Sequence, residues 1–344
     1  MNISSHVSVV MCTYNGASRH LAEQLDSILS QTILPMEIVV QDDGSTDNTL
    51  DVLHAYEQRM PEGVALRIYS NPQQLGINAN FFSAMRKAKG ELIAVSDQDD
   101  IWLPTKIEEQ QAAIGNNMMC VCRSVPFSDG GDPISFDPRR PNCCLARLFY
   151  ASMMGHCQML RRELLDVIPT QEECPEIYRR TCYDVLTATA AAALDSIVLI
   201  DRQLVRQRRY AAAATYVRPD QVRTRSSHNA AAMLLYGMRH YFAVKPWMCA
   251  HFDARRQLLQ WVKQKAASKH IAAANGKVLA DGMQLLNAEC SKAPLALIRL
   301  TWQYIKHRHT IFYTHESDPV AFVRALMHPF MQIYNYRYLV GKTY

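Results

Sequence analysis

The chain places three aspartates directly after an apolar run, in residues 96–102, which read SDQDDIW. The preceding residues 92–95, LIAV, have the composition of a strand that is buried on both faces. In open α/β sheets, ligands bind outside the carboxyl ends of the strands. Carboxylates gathered there repel one another unless a cation or a proton is present. The segment therefore predicts a metal and phosphate site, and the alternative is a solvated acidic turn before the helix that starts at Pro104.

Strand patterns and helix patterns alternate before this segment. Residues 6–13, 37–41 and 64–70 are rich in β-branched and apolar side chains, and helical spacing separates them. This alternation predicts a parallel sheet with right-handed crossovers. Further strands are expected at 118–125, 152–160, 197–200 and 204–208, with Gly155 permitting a close backbone approach.

The texture of the chain changes near residue 215, after which helical patterns dominate. We therefore expect an α/β domain over 1–214 and a mainly helical region over 215–344. Separate helices are predicted on either side of Pro246, at 226–244 and 247–269. Residues 219–344 carry 17 Lys and Arg against 6 Asp and Glu, whereas residues 1–218 carry 20 against 26. This basic region suggests an anionic partner.

The last helical patterns mix basic and aromatic side chains, including Trp302, Tyr304, Arg308 and Arg324. Such a mixture suits the headgroup level of an anionic membrane, and a helical bundle with its aromatics in the core explains it equally well. Hydrophobic residues make up 49% of the chain, but no run approaches the roughly 20 apolar residues of a membrane span. We see no signal peptide or paired Cys-x-x-Cys spacing, and expect a cytoplasmic protein, with peripheral contact at the inner membrane face left open.

Four segments together resemble a known family: 12–16 (CTYNG), 41–47 (QDDGSTD), 90–93 (GELI) and 96–102. In this order they resemble the nucleotide-sugar half of family-2 inverting glycosyltransferases. The sequence of residues 97–102, DQDDIW, is similar to that of the bacterial rhamnosyltransferase-like branch of this family. The resemblance covers about residues 6–210 and implies the GT-A fold, a mostly parallel sheet flanked by helices. Here the helical C-terminal region would follow it.

The resemblance also implies roles for particular residues. It places the donor nucleotide against Thr13, Tyr14, Asn15, Asp43 and Asp97. It makes Asp99 the first choice as ligand of Mg²⁺ or Mn²⁺, which would neutralise the leaving diphosphate. Candidates near the acceptor are Asp100, Trp102 and His156.

An inverting transfer needs a base that takes the proton of the acceptor hydroxyl. The family supplies it from an acid that opens a helix, and Asp184 matches that position. Partial burial beside Val185 and Leu186 could raise its basicity. The alternative is that Asp184 only stabilises the helix N-terminus.

Two positions depart from the family's pattern. Tyr210 replaces a histidine that relatives often carry, and Asn80 replaces an arginine. Arg208 or Arg209 could clamp the diphosphate instead, because guanidinium matches phosphate geometry.

The sequence thus predicts an inverting glycosyltransferase that uses a nucleotide-diphosphate sugar, with L-rhamnose as the best donor guess. The acceptor would be a cell-surface polysaccharide or a lipid-linked glycan. The alternative is a non-catalytic nucleotide-sugar-binding or assembly subunit. No nucleic acid is expected as a partner, and homo-oligomer formation stays open.

Overall fold

The computed structural model describes residues 2–17, 19–130, 134, 136, 138–209, 227–269, 271, 276–293, 295–313 and 316–340. The strands in these ranges are β1 Asn2–Thr13, β2 Ile33–Asp42, β3 Ala65–Ser70, β4 Leu92–Ser96, β5 Ile101–Trp102, β6 Met119–Phe127, β7 Gln158–Arg161 and β8 Ile197–Arg208. Short 3₁₀ helices span Gly155–Cys157, Arg162–Val167 and Arg337–Leu339. The α-helices are α1 Arg19–Leu29, α2 Thr49–Glu57, α3 Ile77–Lys87, α4 Lys106–Ile114, α5 Leu145–Leu148, α6 Pro175–Arg180, α7 Tyr183–Ala193, α8 Ser227–Ser268, α9 Gly276–Cys290, α10 Ala296–Lys306, α11 Arg308–Ile311 and α12 Asp318–Asn335.

The strands form one sheet in the spatial order β3-β2-β1-β4-β7-β6-β8-β5. The first four strands in this order are parallel. Strand β7 then runs antiparallel to both β4 and β6, while β8 is parallel to β6 and antiparallel to β5. The predicted α/β class with a helical C-terminal region is confirmed, and the antiparallel pairs all lie on one side of β4.

The central strand β1 explains why the parallel half forms. Val7, Val9, Val10 and Met11 are all completely buried, because helices cover both faces of the sheet. The carboxyl ends of β1, β2 and β4 therefore meet at one edge, where the polar residues that follow each strand come together.

Three predicted element boundaries were wrong. Only Gln158–Arg161 pairs as a strand within 152–160, because a 3₁₀ turn at Gly155–Cys157 precedes it. The two strands expected at 197–200 and 204–208 are one strand, β8. Likewise α8 runs through Pro246 as one helix. Packing along α8 against α9 and α12 outweighs the hydrogen bond that proline removes.

The helical region packs onto the α/β region through a shared core. Tyr150, from the α/β region, donates a hydrogen bond of 2.8 Å to Glu289 of α9, and its ring lies 5.6 Å from that of Phe252 of α8. The predicted boundary at 214 and Tyr210 both fall outside the described residues. Tyr304 is fully buried whereas Trp302 is 60% exposed, so these aromatics divide between core and surface. Among the described helices, none has both the length and the apolar character that crossing a bilayer requires.

Candidate functional site

The end of β2 presents two buried carboxylates with saturated hydrogen bonding. Asp42 accepts bonds from Thr13 Oγ1 at 2.8 Å and from Ser45 N at 2.8 Å. Asp43 accepts from the backbone N–H groups of Leu75 and Gly76, at 2.8 and 2.9 Å. Both side chains therefore fix the backbone of neighbouring loops.

A buried amide network supports Asp43. Asn71 Nδ2 donates to Asp43 Oδ1 and to Asn80 Oδ1, each at 2.8 Å. Asn80 Nδ2 donates in turn to the carbonyl of Gln41 at 2.8 Å. Asn80, the departure from the family's arginine, is thus a core residue that holds the loop around Asp43.

The turn after β1 is held by side chains from the two neighbouring strand ends. Gln98 accepts from Tyr14 N at 2.9 Å and donates to Tyr14 O at 3.2 Å, so one amide fixes both backbone groups. Asn15 has a positive φ of 47°, and its Oδ1 accepts from Thr46 N at 2.9 Å. Tyr14 leaves 43% of its surface exposed. Its ring is therefore available to stack on a ligand at this edge.

The end of β4 gathers two carboxylates around a buried histidine. His156 Nδ1 lies 3.1 Å from Asp97 Oδ2 and 3.3 Å from Asp100 Oδ2. Asp100 and His156 are 1% and 2% exposed, whereas Asp97 remains partly open. Within the described part of the chain, Asp100 Oδ2 and His156 Nε2 are buried atoms without a hydrogen bond. The cluster is therefore incompletely satisfied by the protein alone.

Electrostatics couple the protonation of this cluster. Burial raises the pKa of Asp100 to about 7, with His156 opposing the shift and Asp97 and Asp99 adding to it. Burial disfavours the charged form of His156, but Asp100 and Asp97 outweigh it and raise the histidine pKa. Positive charge, carried by a proton or a cation, is therefore stabilised here.

The donor set of this cluster fits a divalent cation. Ligand atoms of Asp97, Asp100 and His156 lie within 4.8 Å of one another. Carboxylate oxygens suit both Mg²⁺ and Mn²⁺, and a neutral imidazole is a common metal ligand. Asp99, the predicted ligand, is not among these three residues, and its role stays a prediction.

Arg208 and Arg209, the predicted diphosphate residues, hydrogen-bond to the backbone of neighbouring segments. Arg208 donates through Nε to the carbonyl of Asp99 at 2.8 Å, and its other guanidinium nitrogens pair with Glu23 and Asp129. A diphosphate clamp by Arg208 would require it to release these partners. Arg209 donates its backbone N–H to Phe127 O at 2.9 Å, which holds the end of β8.

The three predicted acceptor residues, Asp100, Trp102 and His156, are each at most 2% exposed, and their contact with an acceptor stays a prediction. Trp102 packs its ring beneath the ammonium of Lys106, 3.7 Å from the ring centroid. This contact covers the ring and anchors the short strand β5. Asp100 and His156 belong to the cluster beside Asp97.

A glycine brings the start of α7 to this edge of the sheet. A Cβ on Gly155 would lie 1.9 Å from Tyr183 Oη, so only glycine fits. Tyr183 stacks on Phe81 at 3.8 Å, and Asn78 Oδ1 accepts from Tyr183 N at 2.7 Å. The next residue is Asp184, in the first turn of α7. The predicted close approach at Gly155 is thus confirmed.

Asp184 has the properties of a moderately activated carboxylate. Burial raises its pKa, hydrogen bonds from Val185 N and Cys182 oppose the rise, and the charge of Asp97 adds to it. The bond from Val185 N to Oδ1 is 2.8 Å long, and the residue is only partly buried. Asp184 can therefore both contact a ligand and accept a proton.

The structure thus brings most of the predicted site residues to one edge of the sheet, and it adds others. Gln98 and Lys106 were missed, although Gln98 lies inside the acidic segment and Lys106 follows Trp102 at helical spacing. Asn71 carried no motif, since its role depends on the fold of the loop.

A family model described as "Glycosyl transferase family 2" matches residues 8–186. This range contains the second half of β1, all of β2 to β4, the acid cluster and Asp184. It ends at the start of α7, so the helical C-terminal region lies outside the match.

Two named bacterial glycosyltransferases are similar to part of this chain. The "dTDP-rhamnosyl transferase RfbG" of Shigella flexneri is 34% identical over 160 residues, 45% of this chain and 55% of that protein. The "UDP-Glc:alpha-D-GlcNAc-diphosphoundecaprenol beta-1,3-glucosyltransferase WfgD" of Escherichia coli is 34% identical over 105 residues, 30% of this chain and 39% of that protein. The chain thus spans between 38% and 55% of the length of the curated relatives that it matches.

Among solved structures, S. aureus TarS 1-349 is 17% identical, with a TM-score of 0.49 over 98% of this chain and 93% of that one. This likeness is distant and says nothing about sugar or acceptor.

Proposed function

This chain belongs to glycosyl transferase family 2, and on that premise we propose that it moves a sugar, with inversion, from a nucleotide-diphosphate donor to a glycan hydroxyl. The observation that carries the proposal is the incompletely hydrogen-bonded cluster of Asp97, Asp100 and His156, close enough to Asp184 of α7 for the charge of Asp97 to raise the pKa of Asp184. A buried cluster of this kind favours a cation, and a neighbouring carboxylate with a raised pKa favours proton transfer.

The donor nucleotide would lie across the ends of β1, β2 and β4. Tyr14 would stack on the base, with the backbone at Thr13 and Asn15 and the carboxylates of Asp43 and Asp97 as polar contacts. We propose L-rhamnose on dTDP as the donor, because residues of this chain match the rhamnosyl transferase RfbG. The match to WfgD supports a glycan linked to a lipid diphosphate as acceptor.

Mg²⁺ or Mn²⁺ would be held by Asp97 and Asp100, with His156 or Asp99 completing the set. When bound, such a cation neutralises negative charge on a leaving diphosphate. The protein's own contribution is to bury Asp100 and His156 and to leave Asp97 open toward the ligand.

Asp184 would act as the base. Its position in the first turn of α7 holds the carboxylate in place, and its raised pKa brings it closer to the basicity that accepting a hydroxyl proton requires.

Donor hydrolysis without acceptor tests the proposal. The full chain is incubated with a panel of nucleotide sugars, with Mn²⁺ or with EDTA, and release of nucleoside diphosphate is measured. We expect slow release that depends on the metal, reduced at least about tenfold by Asp97→Ala. Asp166→Ala, at an exposed position, is the control.

Equal release with EDTA would reject the metal role, and donor binding without any release would support the non-catalytic alternative. Asp99→Ala gives a direct comparison of ligands. If Asp99→Ala removes the metal dependence and Asp97→Ala does not, Asp99 is the metal ligand and the cluster of Asp97, Asp100 and His156 is not the metal site.

We also propose peripheral contact between the helical region and an anionic membrane. Apolar side chains recur on one stripe of α8, where Leu235, Met238 and Phe242 are 68%, 56% and 90% exposed. Trp302 of α10 is also exposed. In co-sedimentation with vesicles of anionic lipid, Phe242→Glu should weaken binding several-fold. The exposed Gln264→Glu on the same helix adds the same charge and should change binding less, and equal effects would contradict an apolar contact.

A further inference from the structure

A cavity lies between the α/β region and the helical region. Its volume is about 370 Å³, within the range of small-ligand sites. Ser152 and Cys182 line one side, and Arg255 of α8 and Gln332 of α12 line the other. The lining contains none of the residues predicted at the donor nucleotide. This cavity is therefore separate from the strand ends that would hold the donor.

Arg255 is the unusual residue of this cavity. It is 6% exposed, and its Nε and Nη1 atoms have no hydrogen-bond partner among the residues that the structure describes. Its guanidinium carbon lies 5.8 Å from the centroid of the Phe252 ring, a cation–π contact that adds no hydrogen bond. A buried guanidinium with unsatisfied donors is costly unless an anion pairs with it.

The surroundings of Arg255 are positive. Arg180 also lines the cavity, and it pairs with Glu176 of the same helix at 3.5 Å. The cavity lining contains no Asp or Glu. Burial, Arg255 and Arg180 together lower the pKa of His251 to about 3, so this histidine is neutral at neutral pH and the positive charge of the lining comes from the two arginines. Gln332 and Asn335 supply neutral polar groups.

The position of the cavity connects it with the proposed base. Cys182 and Val185 both line it, and they flank Asp184 in sequence. An acceptor that occupies the cavity would therefore lie beside the carboxylate that takes its proton.

We propose that this cavity binds an oxyanion of the acceptor, with Nε and Nη1 of Arg255 as the paired donors. Two parallel N–H groups of a guanidinium match two oxygens of a phosphate or a carboxylate. The assignment of this oxyanion to the acceptor rests on the proposed function. The anion site itself rests only on the burial and the unsatisfied donors of Arg255.

Thermal denaturation of the full chain tests the anion site. The probes are inorganic phosphate and, as the carboxylate arm, glucuronate, each added at constant ionic strength with chloride. We expect at least one probe to raise the melting temperature of the native chain. Arg255→Gln should weaken its apparent affinity at least about tenfold, since charge-assisted hydrogen bonds are lost. Phosphate alone would identify a phosphoryl group, and glucuronate alone an acidic sugar.

Arg256→Gln is the matched control, because Arg256 is the next residue on α8 and pairs with Asp253 on the helix surface. It should leave the response to the probes unchanged. Ser152→Asp is a second variant that keeps Arg255 and places a carboxylate at the exposed rim of the cavity, and it should also weaken binding. If neither Arg255→Gln nor Ser152→Asp changes the response, or if no probe stabilises the native chain, the anion site is wrong.

Donor hydrolysis separates this inference from the proposed function. Hydrolysis needs no acceptor, so Arg255→Gln should retain it while transfer to an anionic acceptor is lost. Anion binding in a chain that never hydrolyses a donor would reject the proposed function and keep the site. Donor hydrolysis by a chain that binds no anion would reject the anion site and keep the proposed function.

Discussion

The ends of β2 and β4 both carry aspartates, yet the protein satisfies them in opposite ways. Asp43 accepts three N–H groups, two from the loop backbone and one from Asn71. Asp100 accepts one backbone N–H from Arg208 at 2.9 Å. Its second oxygen lies 3.3 Å from His156 Nδ1 and has no hydrogen bond from the residues that the structure describes. Asp97 is partly open and also faces His156.

This difference separates a carboxylate that holds the fold from one that can hold a ligand. Hydrogen bonds from fixed backbone N–H groups stabilise an ionised carboxylate and anchor the loop that donates them. Carboxylates that lack such donors need positive charge from elsewhere. The same residue type at equivalent strand ends thus has two physical roles, and the number of donors distinguishes them.

Asp184 extends the comparison to a carboxylate outside the two strand ends, and we expect its replacement to have the largest effect. Asp184→Asn keeps the shape of the side chain but cannot accept a proton. Transfer should fall by about 10²- to 10⁴-fold, the usual contribution of a general base. Donor binding, measured by calorimetry with Mn²⁺, should be unchanged.

Asp195→Asn is the control, since Asp195 is exposed just beyond the other end of α7, where a positive φ of 53° suits asparagine. The pH profile gives a second readout. The base works only when ionised, so kcat/KM should fall as the pH drops through the raised pKa of Asp184, above the ordinary 3.8. Unchanged transfer by Asp184→Asn, or the same acid limb in that variant, would remove Asp184 from this role.

Much of the fold follows from local sequence. Buried parallel strands such as β1 and β4 are short apolar runs that end in polar turns, and this pattern is visible without a structure. The element boundaries that were predicted wrongly lie where tertiary contacts, and not local sequence, determine where a helix or strand ends. Pro246 was expected to end a helix, but long-range packing carries α8 through it. Gly155 was recognised as a point of close approach, but the partner, Tyr183, lies 28 positions further along the chain.

The site was predictable in its members and less so in their roles. Residues after strand ends must meet at one edge, which is why Thr13, Asp43 and Asp97 were found together. Burial was not predictable from the motif of residues 96–102, in which Trp102 was expected near the acceptor and is 2% exposed. The partners of Arg208 come from α1 and from the segment after β6, and no spacing reveals them. Arg255 lies in an ordinary helical pattern, and only the packed structure shows that its donors are unsatisfied.

The comparison between the two strand ends is tested by replacing one carboxylate from each. Both oxygens of Asp43 accept from N–H donors, and each oxygen has a backbone N–H among them. In Asp43→Asn, either orientation of the new amide therefore places its NH₂ group against a backbone N–H, so that two donors face each other. We expect the free energy of unfolding to fall by about 1–3 kcal/mol, the cost of leaving buried donors unsatisfied. Urea denaturation at 25 °C measures it.

Asp97→Asn is the matched substitution at the end of β4. Its side chain is 38% exposed and has His156 as its hydrogen-bond partner, so the stability should change by less than about 0.5 kcal/mol, as at other exposed positions. This variant should lose metal-dependent donor binding while remaining folded. Equal losses of stability in the two variants, or a larger loss in Asp97→Asn, would mean that the β4 cluster holds the fold as much as the β2 carboxylates do.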